Sequence, residues 1–455
     1  MTVAATLSPD LLVTVDNGIS SIEGVAAARA LGMQVLITDH HLPGLELPAA
    51  DAIVNPNCPG NDFPSKCPAG VGVIFYVMLA LRAHLRKRGW FGPTRADPNL
   101  GVLLDLVALG TVADVVPLDH NNRILVAQGL ARIRTGAACA GIVALLAVAG
   151  RTPERAGTTD LGFFVGPRLN AAGRLEDMTL GVECLLTDDA TQARALAARL
   201  DALNRERRAI EAEMQDQALE GLERINLEEG AELPWGLALY DETWHPGVVG
   251  ILAARLKDRL NRPVIAFAPG AEGELRGSAR SIPGLHARDT LEAIAARHPN
   301  LLSRFGGHAM AAGLALPQEN FEAFATAFDS EVRRRITPED LCGVILSDGA
   351  LAPTDLGLEL AELLRTGGPW GQGFPEPIFD GVFQCLSSRV VGERHLKLRV
   401  CPIEGSTPLD AIAFNSAEHF SPTPGGRLHL VYRLDINQYR DTRNPQLVVE
   451  HIEPF

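Results

Sequence analysis

The sequence predicts an α/β protein built from a parallel-sheet domain, a long connecting helix, a second α/β domain and a small C-terminal β-barrel. Three observations carry this prediction. An apolar run over 11–15, a helical stretch over 20–31 and a second apolar run over 34–38 follow one another as a β-α-β unit. About 40 residues after position 187 contain no proline and are rich in Ala, Leu, Arg, Glu and Gln. From 342 onward, short alternating strands separated by Gly, Pro and Asn replace the strand-helix rhythm. A length of 455 residues suits about three domains of roughly 150 residues each.

The first strand, over 11–15, runs into Asp16-Asn17-Gly18. The following helix has Ser20 or Ser21 as its cap and Glu23 in its first turn, and Gly32 stops it. The second strand ends in Asp39-His40-His41. A right-handed crossover makes the two strands parallel, so both end on the sheet edge where open α/β folds bind ligands. Asp16 and Asp39 are therefore expected side by side. A third strand over 52–55, a turn-rich segment through Pro68 and a helix over about 70–88 come next. A buried helix over 100–109 then enters a Gly110-Thr111 turn before Asp114. The first strand begins near residue 11 with its acidic tip already in place, as in a domain entered part-way.

The proline-free run, as one helix, would span on the order of 60 Å and act as a spacer. Signals over 236–240, 250–260, 263–268, 277–281 and 287–296 predict the second α/β domain, closing near Arg335. Strands over 379–386, 395–400, 410–414, 427–434 and 446–452 match the strand count of an oligonucleotide-binding (OB) barrel. The expected divisions are 1–120, 121–230, 235–335 and 342–455.

Composition narrows the class. With 46% hydrophobic and 21% charged residues the chain is of ordinary globular type. No apolar run reaches the roughly 18 residues of a membrane span, and no basic segment precedes an apolar core as in a secretory signal. Seven cysteines (58, 67, 139, 184, 342, 385, 401) without a C-x-x-C pair argue against a disulfide framework or a structural zinc site. A reduced, cytoplasmic protein is expected. The net charge of −14 does not advertise nucleic-acid binding, which rests on neutralising phosphates. Local basic clusters exist at Arg82, Arg86, Lys87 and Arg88, at Arg205, Arg207 and Arg208, and at Arg333, Arg334 and Arg335. Each also reads as a solvated helix face.

Two adjacent histidines beside an aspartate, facing Asp16, supply the imidazole and carboxylate ligands that Mn²⁺ or Mg²⁺ accepts. Asp114 adds a third carboxylate. Read blandly, Asp39-His40-His41 is a helix cap with loop histidines and Asp114 a plain N-cap. Together the three segments favour a divalent-metal phosphoesterase centre. Arg168 and Arg174 bracket small residues, and arginine forks suit phosphate oxygens; they equally suit structural ion pairs. Gly306-Gly307-His308 reads as a glycine turn giving close ligand approach, and 277–281 (GSARS) as a short turn offering hydroxyls and Arg280.

The motifs VTVDNGISS (13–21), VLITDHH (35–41), ALGTVADVVPL (108–118), GPRLNAAGRLED (166–177), SARSIPGLHARD (278–289), FGGHAMAAG (305–313), WGQGFPEPIF (370–379) and LDINQYR (434–440) occur in this order. Over essentially the whole chain this set resembles the RecJ family of DHH phosphoesterases, 5′→3′ exonucleases specific for single-stranded DNA. The resemblance implies a DHH domain, a connecting helix, a DHHA1 domain and a C-terminal OB-type domain. It implies two-metal hydrolysis with Mn²⁺ or Mg²⁺, with Asp16, His40 and Asp114 as ligands. Asp39 and His41 would complete or orient the catalytic centre. Arg168, Asn170, Arg174, Ser278, Arg280 and His308 would hold the substrate, and a single-stranded-DNA-binding protein and a helicase would be partners.

One departure stands out. Family members carry an Asp-x-Asp strand upstream of the first motif, and residues 2–10 contain none. The chain is therefore expected to be shortened at its N-terminus. Two alternatives follow: a catalytically impaired DNA-binding fragment or scaffold, and a DHH phosphodiesterase acting on oligoribonucleotides or cyclic dinucleotides. The C-terminal barrel speaks against the latter.

Overall fold

The computed structural model describes residues 2–455 apart from 230–232, 272, 393, 418–419, 421 and 440–441. A short helix α1 (Thr2–Leu7) precedes β1 (Leu11–Val15), α2 (Ile22–Ala30), β2 (Gln34–Thr38) and β3 (Ala52–Val54). The three strands form a parallel sheet in that order. Val15 pairs with Thr38, which sets Asp16 beside Asp39 just beyond the ladder. Val35 and Ile37 of β2 are fully buried against Val25, Ala28 and Met33, so alternation along β2 directs one face into the core. Ser21 occupies the N-cap of α2 without a side-chain cap bond.

Helices follow: α3 (Gly70–Lys87), α4 (Leu104–Ala113), α5 (His120–Arg134) and α6 (Ala140–Val148). The turn expected at Gly110-Thr111 does not form. Both residues lie inside α4, and Asp114 is its C-cap. Gly110 serves packing instead, because a Cβ there would sit 2.7 Å from a Val71 methyl on α3. Asp119 caps α5 by accepting from the Asn122 amide at 2.9 Å.

The chain divides into two compact units, 1–166 with 346–455, and 167–345. In the second, α7 (Gly166–Leu175), α8 (Thr179–Leu186) and α9 (Ala190–Glu229) lead into β4 (Leu237–Tyr240), α10 (Val249–Leu260), β5 (Val264–Pro269), β6 (Glu274–Arg280), α11 (Ala287–Arg297), β7 (Arg304–Gly307), β8 (Ala311–Pro317) and α12 (Phe321–Arg335). The 40-residue α9 has the expected length but is not a bare spacer. Ala193, Ala197 and Leu200 are buried, and Met214 and Ala218 join a core with Val249, Leu252 and Leu256 of α10. The five-stranded sheet has the order β4-β5-β6-β8-β7, antiparallel except for β4 beside β5. Residues 277–280 belong to strand β6 rather than to a short turn. Gly306 and Gly307 end β7, with 308–310 forming the turn to β8. Pairing with Gly313 and Ala312 of β8 draws both glycines into the ladder.

The C-terminal region belongs to the first unit. After α13 (Leu358–Gly367), β9 (Phe379–Val391), β10 (His395–Pro402), β11 (Leu409–Ala413), β12 (Arg427–Tyr439) and β13 (Thr442–Pro454) close a barrel in the order β10-β11-β13-β12-β9. Phe383, Leu398, Leu430, Tyr432 and Leu447 fill it. Several strands outrun their apolar signal because their ends, such as 386–391, carry mostly exposed side chains beyond the core. The lead-in to the barrel meets the helical part of the same unit: the Leu118 amide donates to the Gln372 carbonyl at 2.7 Å, and the Arg123 guanidinium lies 3.7 Å from the Phe374 ring centroid. No helix among the described residues is long and apolar enough to cross a membrane.

Candidate metal centre

The ends of β1, β2 and α4 converge on one site. Asp16 leaves β1 in the left-handed region, at φ 63°, and its amide still donates to the Thr38 carbonyl at 2.9 Å. That turn brings its carboxylate against Gly70, the first residue of α3. A Cβ on Gly70 would lie 2.4 Å from the Asp16 Cβ. His40 Nε2 is 2.8 Å from Asp16 Oδ1 and 3.4 Å from Asp114 Oδ2. Asp16, His40 and His41 each offer one ligand atom within 4.8 Å of the others. Directly after Asp114, Val115 adopts φ 59°, a strained conformation for a β-branched residue beside the site.

Asp39 plays a different part from its neighbours. It is 1% exposed and accepts hydrogen bonds from the amides of Ile19 (2.9 Å), His40 (2.8 Å) and His41 (3.2 Å). Its Oδ1 also contacts His41 Nδ1 at 2.7 Å, which fixes that ring. Burial pushes the Asp39 carboxyl up, but the Ile19 amide and the His41 and His40 contacts outweigh it and the net shift is downward. The sequence placed Asp39 at the strand end, but only its contacts show that it organises the loop.

The donor set fits a divalent cation. His40 Nε2 is buried 2.8 Å from Asp16 Oδ1, and among the described residues it makes no well-aligned hydrogen bond. The Asp16 carboxylate beside it is the largest cause of the raised His40 pKa, working against burial, and Asp114 adds to the rise. Burial, and then the nearby Asp16, raises Asp114 against the lowering effect of His40. Two carboxylates facing one imidazole thus hold surplus negative charge that a proton or a metal ion offsets. Carboxylate oxygen with imidazole nitrogen is a ligand mixture that Mn²⁺ and Mg²⁺ accept.

The other expected site residues lie in the second unit. On α7, Arg168 turns toward α9 and pairs with Asp201 at 2.8 Å, whereas Asn170 and Arg174 are exposed one turn apart. Arg174 Nη1 donates to the Gly247 carbonyl at 3.0 Å. Gly250, in the first turn of α10, lies so close to β6 that a Cβ would be 3.0 Å from both Arg280 Nη2 and Ser278 Oγ. Burial, with the charge of Arg174, lowers the Arg280 pKa. Arg280 pairs with Ala311, whose carbonyl accepts from the His308 amide at 2.8 Å. Arg174, Ser278 and Arg280 therefore gather around the start of α10, and His308 sits at the same sheet edge as Arg280.

Family models match in chain order: DHH family, N-terminal domain over 2–111, DHHA1 domain over 235–334 and RecJ OB domain over 347–451. The chain is 56% identical to the single-stranded-DNA-specific exonuclease RecJ of Dickeya dadantii over 454 residues, 99% of this chain and 79% of that protein. The chain belongs to the RecJ family. RecJ of Escherichia coli is 55% identical over 98% of this chain and 77% of its own length. The crystal structure of Thermus thermophilus RecJ in complex with Mn²⁺ superposes with a TM-score of 0.78 at 30% identity, covering 98% of this chain and 62% of that one. Its Mg²⁺ complex superposes with a TM-score of 0.73 at 29% identity and the same coverage. RecJ proteins are thus known with divalent ions bound, and this chain carries DHH, DHHA1 and OB domains.

Residue patterns alone did not reveal the glycine that Asp16 needs, nor the asparagines near the histidines. The Asn55 amide reaches the His41 carbonyl at 2.9 Å, and the Asn57 amide reaches the His40 carbonyl at 2.6 Å. The Asn-Pro-Asn run directly after a strand was the available signal.

Proposed function

We propose that this chain is a metal-dependent exonuclease that hydrolyses single-stranded DNA from the 5′ end in recombination and repair. The observation that carries this reading is the meeting of Asp16, His40, His41 and Asp114 at the carboxyl edge of a parallel sheet. Asp16, His40 and Asp114 would hold a two-metal centre with His41 beside them. Divalent ions there would polarise the scissile phosphate and lower the pKa of the attacking water. Asp39 orients the His41 ring and braces the loop behind it, as outer-shell groups do. Arg168, Asn170, Arg174, Ser278, Arg280 and His308 would bind backbone phosphates, with Arg168 held on α7 by its pair with Asp201. The OB barrel would bind the strand by stacking and backbone contacts with little sequence preference.

Functional divisions at 1–120, 121–230, 235–335 and 342–455 belong to this reading. So do a cytoplasmic location and collaboration with a single-stranded-DNA-binding protein and a helicase. The experiment is cleavage and DNA binding by His40→Ala. Loss of Mn²⁺-dependent cleavage with unchanged affinity for a single-stranded oligonucleotide supports the assignment; retained cleavage removes His40 from the ligand set.

A further inference from the structure

We infer that Asn55 and Asn57 are positioning residues that aim the His40–His41 pair, an inference that rests on reading those histidines as part of a metal site. The physical reason begins with the ladder. Strand β2 ends at Thr38 and β3 at Val54, and the Asp39 amide donates to the Val54 carbonyl at 3.1 Å. Beyond that point, Pro56 has no N–H to offer. The carbonyls of His40 and His41 are instead taken by side-chain amides. Asn55 Nδ2 donates to His41 O at 2.9 Å, and Asn57 Nδ2 donates to His40 O at 2.6 Å. Asn55 is 1% exposed, and its Oδ1 accepts from the Asn57 backbone amide at 2.8 Å, which ties the Asn55 side chain to the Asn57 backbone.

The same loop is braced from behind. Lys66 Nζ donates to the carbonyls of Pro56 (2.8 Å) and Asn61 (2.7 Å). At its far end, Asn122, which is fully buried, donates to Cys67 O at 2.7 Å and to Pro117 O at 2.8 Å. Pro117 follows Asp114 by three residues. One loop therefore fixes the backbone behind the histidines and the backbone behind the carboxylate that faces them. A ring's direction follows from its backbone, so releasing either carbonyl lets the imidazole nitrogens drift from the Asp16 and Asp114 oxygens.

The test is Mn²⁺ affinity of the full chain, read from the electron paramagnetic resonance signal of free Mn²⁺ at a temperature well below melting. Asn57 is half-buried, and Asn57→Leu keeps its size while removing both donors; Asn57→Ala removes the side chain. Both are expected to raise the Mn²⁺ Kd about 10–100-fold, the usual cost of losing an outer-shell partner. Asn99→Ala, which removes a helix cap elsewhere in the same unit, is expected to leave the Kd unchanged. A purely structural role would lower the melting temperature of the Asn57 variants and leave the Kd of the folded protein at the wild-type value, which would overturn the inference. If either variant fails to fold, Asn57→Ser keeps a polar group there and is read by the same criterion. No Mn²⁺ binding by the wild-type chain would instead overturn the metal reading itself, so the two failures are distinguishable.

Discussion

Replacing Gly70 with alanine sets two effects against each other. Gly70 is the first residue of α3, where alanine has the better helix propensity by up to about 1 kcal/mol. The new methyl, however, would lie 2.4 Å from the Asp16 Cβ, 2.5 Å from its Oδ1 and 2.6 Å from its Cγ. Carbon atoms in contact sit at about 3.5–4.0 Å, so Asp16 or the start of α3 must move by about 1 Å. Overpacking of this kind costs about 1–3 kcal/mol, part of which the helix returns. A net loss of no more than about 3 kcal/mol leaves a domain of ordinary stability folded. At the site, a displacement of about 1 Å is worth roughly 10²-fold in rate. The expected result is a small drop in melting temperature, a weaker Mn²⁺ Kd and a roughly hundredfold slower Mn²⁺-dependent digestion of single-stranded DNA. Gly70→Ala with wild-type Kd and rate would refute the claim that this glycine makes room for a functional Asp16.

Further outcomes follow from other contacts. Asp114→Asn keeps the shape but weakens the carboxylate donor, and isothermal titration should show at least about a tenfold rise in the Mn²⁺ Kd. Arg168→Ala leaves Asp201 paired, among the described residues, with the more exposed Arg205 and should cost about 1–3 kcal/mol in denaturant unfolding. Arg174→Ala should leave unfolding unchanged and weaken oligonucleotide binding in fluorescence anisotropy. On the barrel, the exposed Arg389 pairs across the ladder with Lys397, and Arg399 lies on the same face. Arg389→Ala should flatten the salt dependence of single-stranded-DNA binding by about 0.7 in log–log slope if it meets one phosphate. The Ser347 hydroxyl and then the His429 ring hold the Asp380 carboxyl below its usual 3.8. A depressed folded-state pKa stabilises above the unfolded value and is lost as pH falls through the folded one. The melting difference between wild type and Asp380→Asn, measured from pH 7 downward, should therefore persist to about pH 4 and close below 3.8.

Strands β1 and β2 were legible residue by residue because β-branched runs stop abruptly at Asp16 and Asp39, and the crossover rule then places those ends together. The five barrel strands were legible from alternation, though not to their full length. Gly110 misled because glycine marks turns in a sequence, while here it lets α3 approach α4. Gly277, within the signal over 277–281 that β6 bears out, lies where Phe267 and Leu314 occupy the space a side chain would fill. The spacing of Ala193, Ala197 and Leu200 marks one face of α9, but composition alone could not say what that face meets. Arg168 and Arg174 look equivalent in sequence, and the fold distinguishes them by placing Asp201 against Arg168 and leaving Arg174 exposed. The support around the centre was the least legible part. Gly70, Asn55 and Asn57 act across sequence gaps of 14 to 54 residues, where no local pattern reports on contact.

The central claim is metal-dependent removal of nucleotides from the 5′ end of single-stranded DNA. Its most direct test is digestion of matched oligonucleotides labelled at the 5′ or the 3′ end, single-stranded or annealed, with Mn²⁺ and with chelator. The expected result is immediate release of the 5′ label as short products, delayed loss of the 3′ label, resistance of the duplex and no reaction in chelator. Absence of cleavage by the folded, Mn²⁺-loaded chain, or cleavage that persists in chelator, would contradict it.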